Sequence, residues 1–85
     1  MQITLLYFAS LREQIARSRE VVELPVEVQT VGALREWMLL RGEPYFSALA
    51  RGKAVRVAVN QQMAQDDQAI SNGVEVAYFP PVTGG

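Results

Sequence analysis

The stretch EVAYFPPVTGG, residues 75–85, carries the most information about fold and function in this chain. Its first half continues an apolar run from Val74 to Phe79, which predicts the last strand of a sheet. Pro80 and Pro81 fix their own φ and favour extended backbone before them, so the chain should leave this strand as a stiff strut. Gly84 and Gly85 lack Cβ and form a slim tip. We therefore predict a tail that delivers its terminal carboxylate into a narrow site on another protein.

The composition of the chain offers few residues that could carry out catalysis on their own. The 85 residues are 49% apolar, which predicts one domain over residues 1–79, followed by the tail, residues 80–85. There is no cysteine and no histidine. Disulfides, thiolate metal sites, a cysteine nucleophile and the commonest general base are thereby excluded. A frayed terminus without a role remains the alternative for the tail.

Charge and hydropathy narrow the class of partner. The formal net charge is −1, so a nucleic-acid partner has no electrostatic support. The apolar start of the chain has no basic flank and predicts a strand rather than a signal peptide. No stretch is long enough to span a membrane, and we expect a cytoplasmic protein.

Periodicity and capping signals predict the order β, short α, β, α, short α, β, β, β. Ser10 to Glu13 has the form of a capping box, so the first short helix should begin at Ser10. Thr30 should cap a helix that runs to about Arg41 and stops at Gly42. The other predicted boundaries are strands at 2–9, 19–24, 54–59 and 74–79, a short helix between Pro44 and Gly52, and an edge strand at Met63.

This order predicts an α+β domain with one mixed sheet of about five strands and its helices packed on one face. Side chains alternate between the two faces of a strand, so the parity of each strand assigns its residues to the inner or outer face. The outer face then becomes apolar toward the tail, through Leu6, Phe8, Ala58, Met63, Ala77 and Phe79. A contiguous apolar patch on a monomer usually marks a binding surface. A covering loop or a bulge that shifts the register is the alternative.

The sequence resembles the small subunit of molybdopterin synthase, a family of ubiquitin-like sulfur carriers with the β-grasp fold. The resemblance covers nearly the whole chain. It rests on YFA at residues 7–9, LRE at 11–13, VNQ at 59–61 and above all EVAYFPPVTGG at 75–85. Thiamine-pathway sulfur carriers resemble the chain in fold and in the two glycines, but they typically lack the Pro-Pro-Val-Thr segment.

The resemblance implies a sulfur-carrier role. An adenylyltransferase related to ubiquitin-activating enzymes would use ATP to adenylate Gly85, which would become a thiocarboxylate, with Gly84 giving clearance. The synthase large subunit would bind the patch and tail in a heterotetramer, and sulfur would pass to cyclic pyranopterin monophosphate during molybdenum cofactor biosynthesis. The chain itself would be a non-catalytic donor that binds no cofactor and no metal. The partner-binding residues so predicted are Phe8, Met63, Phe79, Pro80, Pro81, Val82 and Thr83.

Two other functions remain open from the sequence. One is a sulfur carrier for a different acceptor, such as a thiamine precursor or tRNA. The other is a β-grasp interaction module with an inert tail.

Weaker candidate sites have simpler interpretations. Asp66 and Asp67 are two loop carboxylates without an evident third ligand, which favours solvated turn residues over a metal site. Gly52 and Lys53 lack the rest of a phosphate loop. Trp37 is predicted to belong to the core. Arg12 lies near the patch and is either a partner contact or a plain surface arginine.

Overall fold

The computed structural model describes residues 1–81, and these contain five strands and three helices. In chain order they are β1 (Gln2–Tyr7), α1 (Ala9–Ile15), β2 (Arg19–Glu23), α2 (Val31–Leu40), α3 (Tyr45–Leu49), β3 (Arg56–Val59), β4 (Gln62–Met63) and β5 (Glu75–Phe79). The predicted order of elements is confirmed. Their boundaries agree within two residues except at α3.

The five strands form one mixed sheet in the order β2-β1-β5-β3-β4. Strands β1 and β5, the first and the last, pair in parallel at its centre, and the other pairs are antiparallel. Because β5 lies between β1 and β3, the exit of β5 toward the tail is flanked by strands on both sides. The predicted α+β architecture, with a mixed sheet and three helices, is confirmed.

The core lies between one face of the sheet and the helices. Alternate residues of each strand face opposite sides of the sheet, as predicted. In β1 the inward-facing residues Ile3, Leu5 and Tyr7 are all buried. From β5, Val76 and Tyr78 join them, and the rings of Tyr7 and Tyr78 stack with centroids 6.3 Å apart. The helices contribute the opposing layer, through Leu11, Ile15, Leu34, Met38, Ala48 and Leu49.

Helix α2 begins and ends as its sequence predicts. The Thr30 side-chain oxygen accepts a hydrogen bond from the amide of Ala33 at 3.1 Å, which satisfies one of the free N–H groups of the first turn. After the last turn Gly42 takes φ +80°, the left-handed conformation that glycine adopts without steric cost.

The predicted capping box at the start of α1 is wrong. The N-cap is Phe8, no side chain caps the helix, and Ser10 is already inside it. Strand pairing decides this boundary, because the amide of Phe8 donates to the carbonyl of Tyr78 and extends the β1–β5 ladder by one residue. The carbonyl of Phe8 then accepts from the amides of Leu11 and Arg12, and the first helical turn follows at once.

The predicted end of α3 also needs correction. Helix α3 ends at Leu49, before Gly52, because Ala50 takes an extended backbone with φ −55° and ψ 145°. The carbonyls of Leu49 and Ala50 accept hydrogen bonds from the Arg35 guanidinium. Gly52 takes φ +95° in the turn that follows α3.

Among residues 1–81, no helix has both the length and the apolar character needed to cross a membrane.

Candidate functional site

The outer face of the sheet carries two rows of side chains near the end of β5. The first row follows the register across four strands, from Leu6 in β1 through Ala77 and Ala58 to Met63 in β4. The second row lies one step nearer the tail and contains Phe79 of β5. Phe8 lies beside it, because its amide bonds the carbonyl of Tyr78.

Together these side chains form an open apolar groove of about 400 Å³. Its floor is made by the small side chains of Ala58 and Ala77, which pair directly across β3 and β5. The larger side chains around this floor stand higher, so a depression results. The groove is lined by Leu6, Phe8, Ala58, Gln61, Met63, Glu75, Ala77 and Phe79.

Exposure separates the walls of the groove from its floor. Met63 is 60% exposed and Phe8 is 45% exposed, although both are large and apolar. Ala58 was predicted to face outward and does so by register, yet it is buried because larger neighbours surround its methyl group. The structure thus brings together all six residues of the predicted patch, and no described element covers them.

The groove lies where the chain leaves the sheet. β5 ends at Phe79, and Pro80 and Pro81 follow as half-buried residues without regular secondary structure. The predicted functional residues Val82, Thr83, Gly84 and Gly85 lie outside the described residues. The structure therefore places Phe8, Met63 and Phe79 around one groove at the start of the tail. Their role in partner binding, and that of the tail, stays a prediction.

The weaker candidates have structural explanations. The Asp66 carbonyl accepts from the amide of Gly32 at 2.9 Å, and its carboxylate pairs with Arg51 at 3.1 Å. A Cβ at position 32 would come within 3.1 Å of Asp66, so this loop packs directly on the start of α2. Within residues 1–81 no group of three potential metal-binding side chains exists. Asp66 therefore has a structural role, because it holds this loop against α2 and Arg51.

The remaining candidates from the sequence are Trp37, Lys53 and Arg12, and they lie in the helices or in the loops beside them. Trp37 is partly buried against the core, as predicted, and the guanidinium of Arg41 lies 5.5 Å from its ring centroid. Lys53 is exposed in the loop after α3, and its carbonyl lies 3.5 Å from the Arg35 guanidinium. Arg12 is exposed in α1, one turn after Phe8.

The sequence analysis missed a polar cluster around Glu20 on the inner side of the sheet. Glu20 pairs with Leu5 in the register and shares its inward face. Its carboxylate accepts hydrogen bonds from Tyr7 at 2.8 Å, Tyr45 at 2.9 Å and Arg41 at 2.8 Å. Val22 of β2 is buried, and residues two apart in a strand share a face. The sequence pattern of β2 could therefore have shown that Glu20 also points inward.

These hydrogen bonds determine the ionisation of the cluster. Burial by itself raises the pKa of Glu20, but the hydrogen bonds from Arg41, Tyr7 and Tyr45 outweigh it and hold the pKa below its ordinary value of 4.5. Burial and the hydrogen bond to Glu20 raise the pKa of the Tyr7 hydroxyl. Glu20 is therefore a charged structural anchor between β2 and the helices, on the face opposite the groove.

Arg35 is a buried cation that the sequence analysis also missed. It lies on α2 with only 7% exposure, and its Nε donates to the carbonyl of Leu49 at 2.7 Å. A terminal nitrogen donates to the carbonyl of Ala50 at 2.9 Å. Arg35 therefore satisfies carbonyls at the end of α3, which have no partner within that short helix.

Comparison with solved structures defines the class of protein as ubiquitin-like, with the β-grasp fold. A protein from Pyrococcus furiosus assigned as molybdopterin converting factor subunit 1 is similar with a TM-score of 0.78 and 27% identity, over 96% of this chain and 99% of that one. A chain in the complex of subunits 1 and 2 of molybdopterin-converting factor from Helicobacter pylori is similar in fold, with a TM-score of 0.67 and 16% identity over the full length of both chains.

Sequence comparison then identifies the family. The ThiS family model matches residues 5–85. The molybdopterin synthase sulfur carrier subunit of Haemophilus influenzae is 39% identical over 83 residues, and that of Escherichia coli is 40% identical over 83 residues. Each alignment covers 98% of this chain and 99% of the relative. The chain belongs to the ThiS family, and its resemblance to the small subunit of molybdopterin synthase is confirmed.

Proposed function

We propose that this chain is the sulfur carrier subunit of a molybdopterin synthase. The observation that carries the proposal is the similarity, over nearly the full length, to two bacterial sulfur carrier subunits of that enzyme. The match to the family model extends to residue 85, so it includes both terminal glycines. An apolar groove at the start of the tail supports the same function, because a carrier must hold its partner while the tail is inserted.

The proposed chemistry is centred on the carboxylate of Gly85. A carboxylate is a poor acyl donor, so an ATP-dependent adenylyltransferase first joins it to AMP and releases pyrophosphate. Hydrosulfide then displaces AMP and leaves a thiocarboxylate, whose sulfur is a soft nucleophile. This sulfur displaces an oxygen substituent on a carbon of cyclic pyranopterin monophosphate and forms a C–S bond, which links the pterin to Gly85 through an acyl–sulfur bond. Water then hydrolyses the acyl–sulfur bond, leaves the sulfur on the pterin and returns Gly85 to a carboxylate. Exclusion of bulk water by the partner protects the activated intermediates.

The proposed division of labour agrees with the residues that the chain has and lacks. With neither histidine nor cysteine, it lacks the commonest general base and a thiol nucleophile. The large subunit would supply the catalytic groups, as the second chain of a heterotetramer, and the adenylyltransferase would bind ATP. This chain would contribute its groove and its tail, in which Gly84 fits a passage too narrow for a side chain. A cytoplasmic location stays a prediction.

The first test is tandem mass spectrometry of the full chain after incubation with the activating enzyme of the same organism, ATP and sulfide. We expect a thiocarboxylate on the fragment that contains Gly85. Replacement of oxygen by sulfur and oxidation of methionine change the mass almost equally, so fragment ions and a thiol-selective alkylating reagent must locate the change. A chain that lacks Gly85 is the matched control, and it should keep its fold and groove but remain unmodified.

The outcomes separate the three functions. A thiocarboxylate that converts cyclic pyranopterin monophosphate in the presence of the large subunit supports the proposal. A thiocarboxylate that forms but transfers no sulfur to this acceptor indicates a carrier for a thiamine precursor or tRNA. An unmodified Gly85, with an activating enzyme proven active on another carrier, indicates an interaction module with an inert tail.

A further inference from the structure

Two arginines flank the apolar groove on opposite sides, and the sequence analysis identified neither as functional. Arg19 of β2 is the register partner of Leu6, so it stands at the β2 end of the first row. Arg56 of β3 is the register partner of Phe79, so it stands at the β3 end of the second row. Both share the outward face of their apolar partners, and both are exposed. Each apolar row therefore ends in a cation, on alternate sides of the groove.

Arg19 and Arg56, like the exposed Arg12 of α1, have no charge partner within residues 1–81. Arg17 and Arg41 pair with Glu20, and Arg51 pairs with Glu36 and Asp66. Arg35 is buried against backbone carbonyls. Arg19 and Arg56 make neither an ion pair nor a side-chain hydrogen bond in the part of the chain that the structure describes. An exposed arginine with no partner retains its full capacity to bind a carboxylate from another molecule.

The two cations are well separated across the sheet. Three inter-strand steps separate β2 from β3, which places the two backbone positions about 14 Å apart across the sheet. At physiological ionic strength the screening length is about 8 Å, so each arginine acts on its own side of the groove. Glu75 is the one acidic residue in the groove lining, and it lies beside Thr4, one row farther from the tail. The potential therefore becomes more positive toward the tail.

We propose that Arg19 and Arg56 select the partner and steer its docking, by pairing with carboxylates on both sides of an apolar projection that fills the groove. The inference rests on the proposed function, and the occupant is the docking surface of the synthase large subunit. Exposed charges at the rim of an interface act mainly on the association rate and on its salt dependence. The apolar rows supply contact area, and the arginines fix which direction along the sheet the partner faces.

The test is the association rate constant of the full chain with the large subunit from the same organism, at about 0.05 M and about 0.5 M NaCl. Arg19→Gln and Arg56→Gln should each lower the rate about two- to fivefold at low salt, and the double variant about tenfold. At high salt all four proteins should associate at similar rates. Arg51→Gln is the matched control, because it removes the same charge from the helix side of the sheet.

Each outcome of these rate measurements either supports or overturns the inference. Rates of the double variant within twofold of the wild type at low salt overturn the inference and leave the proposed function intact. A deficit that persists at high salt, or one that Arg51→Gln reproduces, also overturns it, since neither is local steering. Complete absence of binding by the wild-type chain contradicts the proposed function and the inference with it. Circular dichroism and the urea midpoint confirm that the variants are folded.

Discussion

Two adjacent aromatic pairs, Tyr7–Phe8 and Tyr78–Phe79, have opposite environments at the same end of the central strands. The two tyrosines point into the core, at 1% and 0% exposure, and their rings stack. The two phenylalanines lie on the other face, where Phe8 is 45% exposed and Phe79 is half-buried. Neighbouring residues in one strand must face opposite sides, so a single pair of strands supplies both environments.

The comparison separates the residues that hold the fold from those available to a partner. The inner side is covered by the helices, and Glu20 there accepts hydrogen bonds from Tyr7, Arg41 and Tyr45. The outer side near the tail is apolar and uncovered within the described residues, and it is flanked by unpaired cations. Mutations on the inner side should therefore act on stability and mutations on the outer side on binding. Each prediction below tests that division.

The largest expected effect is on stability, from Tyr78→Ala on the inner side. Removal of a fully buried aromatic ring leaves a cavity and should lower the free energy of unfolding by about 3–5 kcal/mol. Phe79→Ala, one residue away on the outer face, should cost less than about half as much, because its ring is only partly buried. Urea unfolding of both variants measures the difference. Equal losses would show that the outer face also belongs to the core.

The next effect is on binding, from Phe8→Asp and Phe79→Asp on the outer side. A charge placed in the centre of a desolvated interface should weaken binding to the large subunit by about 2 kcal/mol or more, roughly 30-fold in Kd. Titration calorimetry gives the affinity, and the thermal midpoint should stay near that of the wild type. Val21→Asp, farther along the same face, is the control. Unchanged affinity of both phenylalanine variants would contradict the assignment of the groove as the docking surface.

A smaller effect on stability should distinguish the hydroxyl groups of the two stacked tyrosines. The Tyr7 hydroxyl donates to Glu20, whereas the Tyr78 hydroxyl has no hydrogen-bond partner among residues 1–81. Tyr7→Phe should therefore lower the free energy of unfolding by about 1.5–3 kcal/mol, the usual value for a hydrogen bond to a charged group. Tyr78→Phe should leave it unchanged or raise it by up to about 1 kcal/mol. A large loss from Tyr78→Phe would reveal a partner for its hydroxyl.

The smallest predicted effect is on the pH dependence of stability. The pKa of Glu20 is lower in the folded state than its ordinary value of 4.5, so its contribution is complete above about pH 4.5. It is lost as the pH falls through the lower, folded-state pKa. Glu20→Gln should therefore flatten the fall in stability over this acid range. Urea midpoints measured from neutral to acid pH test this. An unchanged slope would show that Glu20 does not govern this transition.

Much of the fold could be predicted because the sheet is covered on one side. Alternation in β1 and β5 identifies the core residues and the outer apolar residues from sequence alone. The Thr30 cap and the turn at Gly42 follow from local rules for helix ends. The capping box at Ser10 failed because an inter-strand hydrogen bond from Phe8 to Tyr78 overrides a local signal. The cluster around Glu20 was missed because its donors come from β1, α2 and α3, which lie far apart in the sequence.

The sequence by itself determined the order of elements and the apolar identity of the outer face. Both features depend on residue type and short-range spacing, and these can be read from hydrophobic periodicity and from the backbone preferences of individual residues. Only the tertiary structure decided that Arg19 and Arg56 flank the groove, that Ala58 and Ala77 form its floor and that Arg35 supports the end of α3. Those relations depend on strand order and register. Long-range pairing sets both, and a shift of one residue would turn every side chain of a strand to the opposite face.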